Sequence, residues 1–218
     1  MARKNQKFRS IRAVTEPARP LSSRSRASGR PLRLAGIAAL LCLVSACGSS
    51  PLATFDISAP RDGLKPRTLR GILVIPEPTA PAPTDGDRIV VRSGVSAVSV
   101  LAGAQWSDRL PRLLQTRMIQ TFENAKLMRS VGRPGEGLSA DRSFNWDVRR
   151  FEIDVPTGQA VVEISVKVLT PDGRIAAAQI FRSQVPGSAS DGASATTALD
   201  AASNNVLRQI VAWAGARI

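Results

Sequence analysis

The nearest approach to a paired-acid site in this chain is the set Asp141, Asp147, Glu152 and Asp154. Asp147 and Arg149 share one strand parity, and Glu152 and Asp154 share another; acids on the wet face of a strand are ordinarily solvated. The chain contains no His, which removes Ser-His-Asp and Cys-His catalysis and imidazole metal ligation. Its two Cys, Cys42 and Cys47, both fall in one apolar segment near the N-terminus, so the body has neither a disulfide framework nor a zinc ribbon. Gly132–Gly137 reads GRPGEG, but it contains Pro and lacks a strand-to-helix context, so it is expected to be a loop rather than a phosphate cradle. Ser beside Asp or Asn without a base is not a nucleophile system. Tyr is absent and aromatics are 4%, which argues against stacking platforms for single-stranded nucleic acid. The expectation is a body with no catalytic, cofactor-binding or metal-ligating set, and no enzyme.

The one residue whose context points to covalent chemistry is Cys47. Leu34–Ala46 reads LAGIAALLCLVSA, thirteen residues without a charge. A bilayer span needs about 20 apolar residues, so this run is short for a crossing, and it is basic only on its N-terminal flank. That is the layout of a secretory signal. It ends Val44-Ser45-Ala46-Cys47, which resembles a bacterial lipobox: an aliphatic residue, two small residues, then Cys. The resemblance implies diacylation of the Cys47 sulfur, cleavage before it and acylation of the new amine, a palmitate-type anchor stronger than one chain alone. Residues 1–46 are therefore read as a signal peptide with its h-region at 34–46, and 47–54 as a lipidated tether. The 33-residue basic n-region is long, which a misplaced start would explain. Arg24, Arg26 and Arg30 are not adjacent, so no twin-Arg signal is present. Gly48 follows the Cys; by resemblance to the sorting rule that holds Asp-bearing lipoproteins in the inner membrane, Gly implies transfer to the outer membrane.

Charge divides along the same boundary. The chain of 218 residues carries +13 overall. Residues 1–46 hold ten basic residues against one acid, and the remainder holds twenty basic against sixteen acidic. So weak a balance in the body is a poor case for nucleic acid, which wants basic charge clustered on the folded surface.

The elements that must carry these residues are those of a single α+β domain over 55–218, enough chain for one core. The reading is a mostly antiparallel or mixed sheet with a three-strand meander and two main helices packed on one face. Phe55–Ile57 is a short strand, and Gly71–Pro76 a buried one. Pro76–Asp87, PEPTAPAPTDGD, reads as an exposed loop. Ile89–Arg92 and Ala97–Val100 flank Ser93-Gly94 as a hairpin. A helix from Trp106 to Phe122 buries Leu110, Leu113, Leu114, Met118 and Phe122, with Asp108 as N-cap, Pro111 at the third helical position and Asn124 as a left-handed stop. Leu127–Val131 is a strand and Gly132–Arg142 a loop.

In the meander's middle strand, Val162, Ile164, Val166 and Val168 alternate with Glu163, Ser165 and Lys167. The first strand changes phase: Phe144, Trp146 and Val148 share one parity, Phe151, Ile153 and Val155 the other. Alternation absorbs that only with an extra residue, so a β-bulge is predicted at Arg149-Arg150. Turns at Pro156–Gly158 and Pro171–Gly173 connect the meander, whose third strand runs from about Arg174 to Val185. A last helix covers about Ser194–Gly215, with Trp213 in the core.

Read together, these residues resemble the ABC-type transport auxiliary lipoprotein family, which includes the outer-membrane lipoprotein of the paraquat-inducible transport system. The resemblance covers about 52–214. It rests on Phe55–Pro60, on Asp87–Gly94 and above all on Trp106-Ser107-Asp108-Arg109-Leu110-Pro111 after the aliphatic-x-Arg strand. The family's Tyr near the start is absent and the proline loop is long. The resemblance implies that Arg92, Trp106, Asp108, Leu110 and Pro111 form a structural or docking motif. It implies a non-catalytic, lipid-anchored component on the inner leaflet of the outer membrane, facing the periplasm, without cofactor or metal. Its partners would be a mammalian-cell-entry domain protein and an ABC permease and ATPase moving lipids or other apolar substrates, with no nucleic acid; self-association stays open. The alternative is an independent periplasmic binding or envelope-assembly lipoprotein. Sheet edges and the loops at 76–87 and 132–142 are the candidate docking patches.

Overall fold

The computed structural model describes residues 52–61 and 69–217. The signal segment, Cys47 and most of the tether lie outside the described residues. In chain order the elements are β1 (Ala53–Phe55), β2 (Leu69–Val74), β3 (Arg88–Arg92), β4 (Val98–Trp106), α1 (Leu110–Asn124), β5 (Met128–Gly132), β6 (Arg142–Asp154), β7 (Gln159–Leu169), β8 (Ile175–Pro186) and α2 (Gly192–Ala214). The class is α+β, with one eight-stranded mixed sheet.

The long strand β6 organises the sheet. One of its edges carries the antiparallel meander β6–β7–β8, in register from Ser143↔Leu169 to Asp154↔Gln159. Its other edge is shared. β2 pairs in parallel with the start of β6 at Leu73↔Arg142, and β3 pairs in parallel with its end at Val90↔Glu152. β5 continues outward from β2, and β4 and then β1 from β3. The parallel pairings require crossovers, which is why helix and loop alternate with strand in the first half while the second half is a plain meander. The register shift lies between Val148 and Arg150, where the two hydrophobic phases of β6 meet. The bulge keeps Phe144, Trp146, Val148, Phe151 and Ile153 all on the core side, and all five are buried.

The two helices share one core with the sheet. α2 packs on β7, β8, β4, β1 and β6, and α1 packs on β5 and α2. Phe122 of α1 meets Phe144 of β6 edge-to-face at 5.6 Å, and Trp213 of α2 meets Phe181 of β8 at 5.4 Å. Such pairs contribute about 0.5–1.5 kcal/mol beyond the area they bury. Asp191 caps α2 by accepting the Ser194 N–H at 2.8 Å.

Several local expectations shift. The first strand is Ala53–Phe55, so the last tether residues, 53 and 54, already belong to the sheet. Trp106 closes β4 rather than opening the helix; α1 begins at Leu110, with Arg109 in the N-cap position and Pro111 second in the helix. Asp108 does not cap: its carboxylate accepts only the adjacent Arg109 N–H, at 2.7 Å, and pairs with Arg112 at 3.6 Å. The extended joint from β4 needed the extra residue before helical dihedrals could start. The left-handed residue after α1 is Lys126 (φ 49°), not Asn124. Asn124 instead donates its side-chain amide to the Pro60 carbonyl at 2.9 Å, a distant acceptor that local pattern could not reveal.

Candidate functional site

The residues from Trp106 to Pro111 form a joint. The Trp106 N–H donates to the Asp87 carbonyl (2.7 Å), Ser107 N–H to Phe55 (2.7 Å) and Leu110 N–H to Gly86 (2.8 Å). These three backbone donors tie β1 and the end of the proline segment to the β4–α1 corner. Trp106 and Leu110 are buried, with the Trp106 ring edge-on to Phe151 at 5.8 Å. The motif residues Trp106, Leu110 and Pro111 therefore face the interior, whereas Asp108 is solvent-facing.

Arg109, which spacing did not single out, clamps the proline segment from outside. One guanidinium nitrogen meets Glu77 at 2.9 Å and another meets Asp85. These two acids sit near opposite ends of the segment 76–87. The hydrogen bond to Asp85, then the charges of Asp85 and Glu77, raise the Arg109 pKa. The segment is the irregular, largely exposed loop expected, but it is fastened to β6. Trp146 Nε1–H donates to the Pro76 carbonyl (2.8 Å), Thr79 N–H to Trp146 (3.2 Å), and Val148 N–H to Thr79 (2.8 Å). It fills the gap that β2 and β3 leave along the shared edge of β6, and Pro78 and Thr84 are buried. Proline fits there because a segment bridged at one residue requires few of its own N–H groups.

Arg92 lies elsewhere, on the sheet face away from the helices, in a four-residue charge network. Its Nε and one terminal nitrogen donate to both oxygens of Glu152 (2.8 and 3.1 Å). Arg150 donates to Glu152 (2.6 Å) and to Asp154 (2.8 Å). Glu152 is 4% exposed, so this carboxylate is not the solvated acid expected of a wet face; two guanidinium groups offset its desolvation. Arg150, Glu152 and Asp154 share one parity by alternation alone, and the bulge, by shifting the phase after Val148, turns that parity away from the core. The Arg150 hydrogen bond, working against partial burial, holds the Asp154 carboxyl below the usual carboxylate range. For Arg150 itself, desolvation lowers the pKa, but its bonds to Asp154 and Glu152 outweigh this and the net shift is upward. The other two acids are also engaged: Asp141 accepts the Ile72 N–H at 2.8 Å, and Asp147 pairs with Arg149 at 3.3 Å. Gly71, beside that Asp141 contact, has φ +129°, and a Cβ there would lie 3.2 Å from the Asp141 carboxylate. Among the described residues no group of three or more acids, His or Cys is placed to hold a metal ion.

Basic charge does cluster, despite the small net charge of the body. A cavity of about 580 Å³ at the start of β2, β5 and β6 is lined by Arg70, Arg129 and Arg142 together with Asp141. A second, about 710 Å³, lies between the 57–61 segment, α1 and α2, and is lined by Arg61, Arg117 and Arg208 together with Glu123. Both border the α1–β5 turn, because Asn124 bonds Pro60 and the Leu69 N–H bonds the Leu127 carbonyl at 2.7 Å. Composition could not reveal this, as the arginines come from six separate stretches.

The corner, the clamp and the network define an α+β scaffold whose ordered side chains mostly secure its own joints. Residues 54–211 match the model of a family described as an ABC-type transport auxiliary lipoprotein component, and the chain belongs to that family. An uncharacterised protein of Bradyrhizobium diazoefficiens is 30% identical over 163 residues, which are 73% of this chain and 44% of that protein. The chain therefore spans under half the length of that curated relative. The crystal structure of a Xanthomonas campestris protein of family DUF330 is similar with TM-score 0.67 and 25% identity, covering 78% of this chain and 96% of that one. A second solved structure, of an uncharacterised protein, shares the fold at TM-score 0.53 and 14% identity, covering 77% and 95%.

Proposed function

We propose that this chain is the non-catalytic, lipid-anchored member of a mammalian-cell-entry type ABC system, acting on the periplasmic side of the outer membrane in traffic of lipids or other apolar molecules. Acylated Cys47 holds it to the membrane. Its partners are the mammalian-cell-entry domain protein and, through it, the permease and the ATPase that hydrolyses ATP. The observation that carries this reading is the family match over 54–211. The geometry supports it from another side: the charged groups nearest to an acid site are engaged by arginines or backbone donors, and Trp106, Leu110 and Pro111 support the β4–α1 corner. A docking component needs a firm scaffold with accessible patches and no reacting group.

The test is a soluble chain beginning at Gly48, offered to the periplasmic domain of the mammalian-cell-entry protein from the same organism. The two should co-elute, with no ATPase or esterase turnover from this chain. Failure to co-elute, with deletion of either gene leaving the other's transport phenotype intact, would defeat the assignment.

A further inference from the structure

One end of the sheet is apolar, and β1 begins on the side that faces it. From Ser93 to Ser107 there is no charged residue. Within that run the β3–β4 hairpin presents Val95 at 101% exposure, Val98 at 39% and Val100 at 45%; Val155, whose N–H bonds the Arg92 carbonyl at 2.9 Å, adds 49%. Arg92 steadies the tip by donating to the Val95 carbonyl at 3.2 Å. Of the six large hydrophobic side chains exposed among the described residues, these four gather here and the other two, Ile175 and Ile180, lie apart on β8; such a gathering marks a contact site. What they contact is indicated by β1. It runs parallel to β4, with Ala53 opposite Ala104, so the N-terminal end of β1 faces the hairpin-tip side. Cys47 precedes Ala53 by six residues, and Val98 precedes Ala104 by the same number. Six residues reach at most about 20 Å, so an anchor at Cys47 keeps the tip within tether range of the bilayer. The arginine-lined cavity of Arg70, Arg129 and Arg142 lies at the opposite ends of the strands.

We infer that the β3–β4 hairpin tip, with Val95, Val98 and Val155, is a membrane-contact surface that rests its apolar side chains in the interface of the bilayer to which the chain is anchored. The inference relies on the lipid-anchor reading of Cys47. Anchored this way, the domain turns its arginine-lined end away from that membrane.

The experiment uses the full chain, processed in cells and reconstituted into phosphatidylethanolamine–phosphatidylglycerol vesicles containing brominated phospholipid. Val95→Trp is compared with Asp172→Trp, which sits in the β7–β8 turn at the other end. Trp106 and Trp146 are buried, and the signal of the unsubstituted chain is subtracted. Because apolar faces of interfacial proteins enter about 5–10 Å, bromine should quench the added indole of the Val95→Trp chain at least about twofold more than that of the Asp172→Trp chain. Equal quenching, or stronger quenching of Asp172→Trp, overturns the inference, the latter placing the arginine-lined end on the bilayer. An unquenched Val95→Trp whose tip is instead protected only when envelope proteins are added also overturns it, in favour of a protein partner. Mass analysis of the N-terminal peptide reports the anchor separately. If Cys47 carries no acyl group, a Cys42→Ser chain coupled through Cys47 to maleimide-bearing lipid undergoes the same comparison, so the two readings fail independently.

Discussion

Glu152 holds more of the open sheet face than its place in a polar alternation suggested. It is nearly fully buried, and it receives one arginine from its own strand β6 and one from the neighbouring β3. Glu152→Gln removes the charge shared by two guanidinium groups and should cost about 1.5–3 kcal/mol, the range for hydrogen bonds to charged groups, read from the midpoint of urea unfolding. Asp154 gives the network a pH signature. Its folded pKa is depressed, so its contribution is complete above the unfolded value of about 3.9 and is lost as pH falls through the folded value. The melting temperature should drop on acidification through that range, and Asp154→Asn should flatten the drop. Trp106 is the other decisive residue. Trp106→Ala empties a buried aromatic site against Phe151 and should cost about 3–5 kcal/mol; a variant that melts like the parent but no longer binds a partner would make Trp106 a docking residue instead.

At the scale of elements, the split edge of β6 explains why a proline-rich segment belongs in the middle of this fold. Arg109 clamps that segment, yet its side chain is half exposed, so its ion pairs add little to global stability. Arg109→Ala should therefore leave the melting temperature essentially unchanged while hydrogen exchange at the Val148 amide, bonded to Thr79, accelerates by local opening. Unchanged exchange would mean the Trp146 and Thr79 bonds suffice. The meander, its bulge and both helices were legible in the sequence because each is written in local periodicity: the phase slip at Arg149-Arg150 shows in the residues themselves. The parallel pairings of β2 and β3 to β6, the Asn124–Pro60 bond and the bonds of Pro76 and Thr79 to β6 were not, because each joins residues 60 or more apart with no repeating pattern to report the distance. The helix start was misplaced for a related reason: Trp106 has helical spacing to Leu110, but β1 and Asp87 hold it in an extended joint.

At the scale of the molecule, the family match and the similar solved structures agree on one α+β fold, and the motif Trp106–Pro111 makes the family legible in the sequence. The arginine-lined end was hidden, since Arg70, Arg129 and Arg142 come from three separate stretches and become a patch only after folding. Cys47→Ser should leave an unlabelled, uncleaved precursor in cells fed labelled palmitate; unchanged labelling would move the acyl site, with Cys42 the remaining thiol. We propose that this chain works as the accessory of a mammalian-cell-entry transporter. The most direct measurement is to purify the tagged chain from gently solubilised envelopes at its native expression level and identify what accompanies it. The mammalian-cell-entry protein, with permease and ATPase, should be enriched over a Trp106→Ala control matched for abundance. Recovery of the intact chain alone, or with envelope-assembly proteins and none of these three, would contradict it.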